Sequence, residues 1–390
     1  MTVVDREEPA PEERVVETRT RASFGAAGKA LRTEVPRTSH AGWKAPAGRL
    51  DPIAVLIESS KGRLENLVPI RYGRMIETPF TFYRGAAAIM AADLAHTPVT
   101  GVRVQACGDC HLLNFGGFAT PERRIVFDIN DFDETLPAPW EWDVKRLAAS
   151  FVIAGRNNGL KKSDCRAAAA RVVRAYRKRT AELAAMPALQ AWYSSMDYEA
   201  LIEMSEDPAL RKKRKKDMGK AITKSSAEAL YPKLVEDAGG TPRIKDDPPL
   251  IFHTEEQKYP AWREGVAERV ARYRASLSEE RRVLLDRYRH VDAAVKVAGV
   301  GSVGTLCLVA LFLATDDDPL FIQIKEARAS VLAPYAGKSE YENQGQRVVV
   351  GQHIMQAASD IFLGGERISR AVTFTSGSCA TRRSRRRWKC

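Results

Sequence analysis

The stretch VQACGDCHLLNFGGF, residues 104–118, decides the fold, because three incompatible patterns overlap in it. Its pentapeptide CGDCH is a C-x-x-C-H string, which is typical of covalent haem attachment. The two cysteines alone are also typical of a redox pair or of half a zinc site. The third pattern, Gly-Asp-x-His-x-x-Asn, places the carboxylate of Asp109, the imidazole of His111 and the amide of Asn114 on one loop.

The rest of the sequence disfavours haem and zinc. The N-terminal stretch MTVVDREEPAPEERVVETRTRAS has no apolar segment typical of a secretory signal, whereas c-type haem is attached outside the cytoplasm. A zinc site needs further ligands, and the sequence contains no second C-x-x-C pair and no H-x-x-x-H pair. No run of about 18 apolar residues predicts a membrane span. We therefore expect a cytoplasmic protein with free thiols and no membrane partner.

The excess of basic residues lies mainly in two runs. The sequence has 61 Lys and Arg against 49 Asp and Glu, which gives a net charge of +12. One run is RKKRKK at 211–216, and the other is the C-terminal TRRSRRRWKC. Such runs can bind nucleic acid, but the sequence lacks a basic patch interleaved with aromatic residues that stack on bases. We interpret 211–216 as a solvated helix face and do not expect nucleic acid to be the partner.

Composition and periodicity divide the chain into four parts. Residues 1–48 are polar and Pro-rich, which predicts a disordered N-terminal segment. Residues 49–290 are predicted to form a helix-rich lobe with the catalytic and metal loops. Residues 291–365 are predicted to form a small β-rich nucleotide-binding lobe. The last part, 366–390, is predicted to be a basic disordered tail.

Local signals place the main elements. Asp51-Pro52 and Thr78-Pro79 are predicted to start helices, since each pairs a capping side chain with a first-turn proline. β-Branched alternation predicts short strands at 102–106 and 124–129. Apolar spacing predicts a helix over 341–364.

A second motif, FDINDFDET, follows the loop and is rich in carboxylates. Phosphoryl transfer from ATP needs a carboxylate that orients and deprotonates the attacking hydroxyl, and an amide oxygen and another carboxylate that hold Mg²⁺. Asp109 and Asn114 in the loop and Asp128 on the next strand meet that need. Asp131 and Asp133 are further candidate metal ligands. The alternative is an exposed acidic turn, which the apolar residues between the acids disfavour.

A glycine string and a lysine occur late in the chain. The string G-x-G-x-x-G, whose turn would let backbone amides approach phosphates, is formed by Gly299, Gly301 and Gly304. Lys325 lies on a later predicted strand, as does the protein-kinase lysine that contacts the α- and β-phosphates. In kinases a helix glutamate pairs with this lysine, and Glu342 or Glu340 could serve here. The alternative is a tight hairpin turn beside an edge-strand lysine.

GDCHLLNFG, VFDINDFDE and WEWDVKRLAAS together resemble the aminoglycoside phosphotransferase branch of the protein-kinase-like fold. The resemblance implies that Asp109 is the catalytic base and that Asn114 and Asp128 bind metal. It also implies that Asp143 braces the catalytic loop. His111 is expected to brace the same loop by hydrogen bonding.

The match to that branch is incomplete in two places. Cys107 stands where the branch usually has its first histidine. Asp128 and Asp131 each match the metal motif in part. The order of the parts also differs, because the glycine loop and lysine of kinases precede the catalytic loop and here they follow it. The resemblance therefore implies an α+β, protein-kinase-like two-lobe fold with permuted lobes.

The chain also resembles the bacterial family catalogued as domain of unknown function 2252, over residues 28–365. PIRYGRMIETPFTFYRGAAAIMAADLA and NDFDETLPAPWEWDVKRLAAS carry this resemblance. The family has no settled activity, so the resemblance bears on the fold. A shifted reading frame of VTFTSGSCATRR resembles what the family carries there, and we expect a C-terminus truncated by a frameshift.

These patterns favour a phosphotransferase that uses ATP and Mg²⁺ and acts on an unidentified small-molecule acceptor. Arg84 is expected either to neutralise the acidic motif or to form a surface pair. One alternative is a catalytically inactive, kinase-like nucleotide-binding or regulatory protein. The other alternative is a basic nucleic-acid-binding protein.

Overall fold

The computed structural model describes residues 20–223, 231–253, 266–315, 318–366 and 372–375. The chain divides into two compact units. The smaller consists of residues 1–44 and 97–101, and the larger of residues 45–96 and 102–390. Among the described residues, no helix is both long and apolar enough to cross a membrane.

The smaller unit contains helix α1, Arg21–Glu34. The helix begins where the Thr20 hydroxyl accepts a hydrogen bond from the Ser23 amide at 3.1 Å. The disorder predicted for residues 1–48 was therefore wrong for this stretch, because an N-cap followed by alanines and long side chains favours a helix. Residues 1–19 lie outside the described part.

Four helices open the larger unit: α2 Pro52–Ser60, α3 Val68–Met75, α4 Pro79–Gly85 and α5 Ala87–Leu94. Asp51 caps α2 by accepting hydrogen bonds from the amides of Ile53 and Ala54. Thr78 and Thr81 form a capping box at the start of α4. Both helix starts predicted from the sequence are confirmed.

Two small antiparallel sheets follow. Strand β1, Arg103–Ala106, pairs with a later strand, Leu136–Pro139, and between them β2, Phe115–Ala119, pairs with β3, Ile125–Ile129. We number Leu136–Pro139 as β4. The strands predicted at 102–106 and 124–129 are confirmed, and the CGDCH motif lies in the loop between β1 and β2.

In the part of this stretch that the structure describes, five α-helices and a hairpin come next: α6 Trp140–Asn157, α7 Lys162–Ala185, α8 Ala188–Trp192, α9 Tyr198–Glu203, α10 Pro208–Thr223, β5 Val235–Asp237 and β6 Pro242–Ile244. The basic run 211–216 lies on α10 and is mostly exposed. Arg211 and Lys215 both form ion pairs with Glu203. The interpretation of this run as a solvated helix face is confirmed.

The remaining helices and strands of the described residues are α11 Val266–Ser276, α12 Glu279–Leu285, α13 Ala333–Ala336, α14 Gln344–Met355, β7 Ile251–Phe252, β8 Arg289–Lys296, β9 Cys307–Leu313, β10 Pro319–Glu326, β11 Gly364–Glu366 and β12 Val372–Thr375. These strands form a six-stranded antiparallel sheet in the order β11-β12-β10-β9-β8-β7. The predicted helix over 341–364 is confirmed for its middle part, α14. The strand β12 lies in the predicted tail 366–390, of which residues 376–390 lie outside the described part.

The sheet has its own hydrophobic core. Tyr273 and Leu285, from α11 and α12, pack with Phe312, Ile322 and Phe362. These two helices therefore belong with the sheet, although the sequence analysis assigned them to the helix-rich lobe. The fold class is α+β with several small sheets, as predicted.

Candidate functional site

Helix α6 braces the loop that carries the CGDCH motif. The carboxylate of Asp143, in the first turn of α6, accepts hydrogen bonds from the backbone amides of Cys107 at 2.6 Å and Gly108 at 3.0 Å. Seven residues further along α6, the Ser150 hydroxyl accepts a hydrogen bond from the Leu112 amide at 3.0 Å. Burial raises the pKa of Asp143 to about 6, and the two amide bonds oppose that shift. The bracing role expected of Asp143 is confirmed.

Arg146, on the same face of α6, holds the carboxylate of Asp109. Its Nε lies 2.8 Å from Oδ1 of Asp109, and its Nη2 donates to the same oxygen. The arginine is only 2% exposed, so it is a buried charge, and the carboxylate of Asp109 is its ion-pair partner. The sequence analysis missed Arg146, although its position three residues after Asp143 places both on one helix face.

His111 is buried beside this carboxylate. Its Nε2 lies 3.8 Å from Oδ2 of Asp109, and its Nδ1 has no hydrogen-bond partner among the described residues. Burial lowers the pKa of His111; Arg146 and Arg84 act in the same direction, and Asp109 opposes them. The imidazole is therefore neutral near pH 7. The backbone carbonyl of His111 accepts a hydrogen bond from the Asn114 amide at 2.8 Å. The expected bracing of the loop by the His111 side chain stays a prediction.

The side chain of Asn114 joins the loop to the acidic motif. It is 4% exposed, and its Nδ2 lies 2.9 Å from the Asp131 carbonyl, 3.3 Å from the Asp109 carbonyl and 3.3 Å from Sγ of Cys107. Because these acceptors engage the amide nitrogen, Oδ1 is the atom that remains for a cation.

Gly108 brings the same loop against the acidic motif. Its φ is +81°, and a Cβ atom at this position would lie 2.3 Å from the carbonyl oxygen of Glu134. Only glycine combines this left-handed conformation with so close an approach. The loop and the acidic motif are therefore packed backbone to backbone.

Lys325 meets two carboxylates of the acidic motif. Its Nζ lies 3.5 Å from Oδ1 of Asp131 and 3.5 Å from Oδ2 of Asp133. Lys325 and Asp133 are 192 residues apart in the sequence. The carboxylate side chains are 41% and 30% exposed, so both are open to solvent on one side. Desolvation and the neighbouring Asp131 raise the pKa of Asp133 to about 6, against the opposing effect of Lys325.

Asp128 lies apart from this pair, on β3 opposite Gly116. Its Oδ1 accepts a hydrogen bond from the Ile129 amide at 2.8 Å, and burial raises its pKa. Within the described ranges, no three side chains of His, Cys, Asp or Glu are grouped so that they could hold a metal ion. Asp128, Asp131 and Asp133 thus do not form a metal cage by themselves, and their assignment as ligands stays a prediction.

Arg347 of α14 ties the acidic motif to the sheet. This arginine is 2% exposed, and it donates to the carbonyl oxygens of Asp133 and Arg328, each at 2.8 Å, and to that of Thr135. In addition, the Glu134 carboxylate accepts from the Val331 amide at 2.7 Å. Burial raises the pKa of Glu134 to about 7. The sequence analysis missed Arg347, whose position inside the apolar run QRVVV was the available signal.

The structure corrects the assignment of Glu342 and Glu340 as partners of Lys325. Both residues precede α14, which begins at Gln344, and both line a cavity of about 630 Å³. Arg272, on α11, lines the same cavity. The carboxylates that pair with the lysine come instead from the acidic motif, because α14 presents Arg347 to that motif.

The glycine turn between β8 and β9 docks on the segment around α3 through its carbonyl groups. Arg74 donates to the Gly299 carbonyl at 2.8 Å, and Arg63 donates to the Gly301 carbonyl at 2.8 Å and to the Val303 carbonyl at 2.7 Å. Gly299 and Gly304 have φ values of +71° and +89°, so the predicted glycine turn between two strands is confirmed. Binding of phosphate by Gly299, Gly301 and Gly304 stays a prediction.

The glycine turn also lies close to the C-terminal end of α4, the helix whose Tyr83 contacts Arg146. A Cβ atom at Gly301 would lie 3.1 Å from the backbone oxygen of Arg84, at the end of α4. The preceding residue, Tyr83, accepts a hydrogen bond from Arg146 through its backbone carbonyl at 3.1 Å. The structure thus brings the glycine turn next to the element that positions the Asp109 carboxylate.

The comparisons with known proteins identify the family. No curated protein and no solved structure matches the chain. One family profile matches residues 63–376, more than half of the chain, and its description is "uncharacterized protein conserved in bacteria". The chain therefore belongs to the family named domain of unknown function 2252.

Proposed function

We propose that the protein is a phosphotransferase that uses Mg²⁺ and ATP and acts on a small-molecule acceptor. The observation that carries the proposal is the approach of Lys325 to Asp131 and Asp133 at 3.5 Å each. A lysine and two partly exposed carboxylates provide opposite charges that suit a triphosphate and its magnesium ion.

The order of the elements around the lysine supports the same proposal. A glycine turn joins β8 to β9, Lys325 follows on β10, and α14 comes after it. Protein kinases have a glycine-rich loop, a lysine on the third strand and then a helix in the same order. This order favours the permuted, kinase-like two-lobe interpretation.

The described contacts suggest a role for each residue. Asp109 orients the acceptor hydroxyl and accepts its proton, as the catalytic-loop aspartate of kinases does. Oδ1 of Asn114 and the carboxylate of Asp131 would hold Mg²⁺, which usually takes one or two carboxylates together with phosphate oxygens and water. When bound, the ion would neutralise charge on the phosphates. Lys325 would then turn from its carboxylates towards the phosphate oxygens.

Nucleotide protection and turnover test the proposal. We expect Mg-ATP to raise the melting temperature of the full chain above its value with Mg²⁺ alone, and Lys325→Met to abolish that difference. We expect ATP turnover that is lost in Asp109→Ala. The control is Arg274→Lys, which changes an exposed pair with Asp286 and should leave both readouts unchanged.

The outcomes separate the proposal from its alternative. A thermal shift without turnover in the wild-type chain would favour the catalytically inactive, nucleotide-binding protein. Absence of any shift with Mg-ATP, Mg-GTP or Mg²⁺ alone would contradict both.

A further inference from the structure

We infer that Arg146 is a positioning residue that fixes the Asp109 carboxylate so that its Oδ2 atom faces the acceptor. The inference rests on the proposed function and goes beyond it. It assigns to this arginine the choice of which carboxylate oxygen takes part in the reaction.

The hydrogen bonds to Asp109 are unequal. Both Nε and Nη2 of Arg146 donate to Oδ1. Oδ2 accepts no hydrogen bond from the described residues, and the Nε2 atom of the His111 imidazole lies 3.8 Å from it. The Asp109 side chain is 26% exposed, whereas that of Arg146 is 2% exposed. Oδ2 is therefore the carboxylate oxygen that hydrogen bonds leave for an acceptor.

Arg146 is itself held on several sides. Its Nη2 also donates to the Tyr83 carbonyl at 3.1 Å, and its Nη1 lies 3.4 Å from Sδ of Met90. The guanidinium stacks over the Tyr83 ring at 4.5 Å. The Tyr83 hydroxyl closes the arrangement by donating to the backbone carbonyl of Arg146 at 2.7 Å. The arginine is thus fixed before any substrate binds.

This arrangement needs a guanidinium. Two N–H groups of one guanidinium hold Oδ1 of Asp109 between them, whereas a lysine ammonium presents a point charge on a flexible stem. Without the guanidinium the carboxylate of Asp109 can rotate about its Cβ–Cγ bond and exchange its two oxygens. Loss of orientation at a reacting group costs rate more than it costs substrate affinity.

The experiment uses phosphate release from Mg-ATP, with water as the acceptor, because this readout needs no knowledge of the natural acceptor. For Arg146→Gly we expect kcat to fall about 100-fold while KM for ATP changes by less than about threefold. Added guanidinium chloride should restore at least about a tenth of the lost rate, and sodium chloride at equal ionic strength should not. Arg146→Lys should also lose at least about tenfold in kcat, since it keeps the charge without the fork.

The controls separate failure of this inference from failure of the proposed function. Arg274→Lys changes another arginine that donates two hydrogen bonds to one aspartate, and we expect it to leave kcat unchanged. Asp109→Asn should be inactive with or without guanidinium. Melting temperatures of all variants show which of them fold.

An unchanged kcat in folded Arg146→Lys overturns the inference, as does a folded Arg146→Gly that guanidinium fails to rescue. If Arg146→Gly does not fold, the Arg146→Lys result decides alone. Wild-type protein that neither binds nor hydrolyses Mg-ATP contradicts the proposed function instead.

Discussion

Two basic side chains in the larger unit each lie between a pair of carboxylates, but the two arrangements differ. In the histidine centre, His253 lies 2.8 Å from Asp246 through Nδ1 and 3.0 Å from Asp292 through Nε2. In the lysine centre, the ammonium lies 3.5 Å from both carboxylates, and its members are Lys325, Asp131 and Asp133. The histidine centre is the tighter of the two.

The carboxylates of the two centres also differ in their other partners. Asp292 accepts from the amides of Ile244 at 2.7 Å and Ala293 at 2.8 Å. Desolvation acts to raise the pKa of Asp292, but these bonds and the one from His253 outweigh it, so the pKa is lowered. The pKa of Asp133 in the lysine centre is raised to about 6 because desolvation prevails there. The carboxylates of the histidine centre are therefore satisfied by hydrogen bonds, whereas we propose that the lysine centre can accept another cation.

The largest effect should come from Gly108→Ala, which separates the catalytic loop from the acidic motif of the lysine centre. The new Cβ would meet the Glu134 carbonyl oxygen at 2.3 Å in a residue with φ of +81°. We expect the free energy of unfolding, measured by urea denaturation, to fall by at least about 4 kcal/mol.

A matched control lies in the turn that leads to the histidine centre. Gly239 also has a positive φ, +67°, but a Cβ atom there would meet nothing within 4 Å. Gly239→Ala should cost only the backbone strain, about 1–2 kcal/mol. Equal losses in the two variants would mean that the close packing at Gly108 contributes nothing.

The lysine centre also shows which contacts a sequence encodes. The CGDCH loop and its brace Asp143 were predictable because the two belong to motifs that resemble one known family together. Asp143 lies only 36 residues from Cys107. Arg146 carried a usable signal, since it lies on the same helix face as Asp143. The pairing of Lys325 with Asp133 spans 192 residues, and no local pattern specifies such a partner.

The wrong assignment of Glu342 has the same cause. Its choice rested on helix position alone, whereas the orientation of α14 is set by tertiary packing at Gly351. A Cβ atom there would lie 2.4 Å from Cγ2 of Thr135, so the helix approaches the acidic motif closely. That approach turns Arg347, and not a glutamate, towards the motif. Sequence therefore predicted the local parts of the site but not the partners that packing selects.

The next effect tests the spare capacity of the lysine centre. Lys325→Met leaves two neighbouring carboxylates without their cation, and we expect the free energy of unfolding to fall by about 2 kcal/mol, less than for a fully buried pair because the site is partly exposed. Mg²⁺ alone should then stabilise the variant more than it stabilises the wild-type chain, because the competing ammonium is gone. Differential scanning calorimetry with and without MgCl₂ measures both effects.

His253→Gln is the comparison for that experiment. It removes the cation of the satisfied centre, whose carboxylates keep their backbone amide donors, so Mg²⁺ should add no stability beyond its effect on the wild-type chain. A larger Mg²⁺ response in His253→Gln than in Lys325→Met would reverse the distinction between the two centres.

The smallest effect is the pH dependence of the histidine centre. The hydrogen bond that the His253 ring donates to the Asp292 carboxylate raises the pKa of His253 above its ordinary value of 6.5, with Asp246 acting in the same direction and desolvation opposing. The folded protein therefore binds this proton more tightly than the unfolded chain does. The resulting stability is fully present below about pH 6.5 and is lost as the pH rises through the raised pKa of His253. Asp246 also faces Arg243, whose Nη2 atom lies 3.4 Å from it.

The measurement is the difference in unfolding free energy between the wild-type chain and His253→Gln, determined by urea denaturation from pH 6 to pH 9. We expect the difference to be about 1 kcal/mol at the acidic end and to decrease as the pH rises. Groups outside the histidine centre titrate in both proteins, so their contributions cancel in the difference. A difference in unfolding free energy that stays constant or grows with pH would show that His253 is held as a neutral ring. The two centres would then differ because Lys325 is charged and His253 is not, and the hydrogen bonds of their carboxylates would not explain the difference.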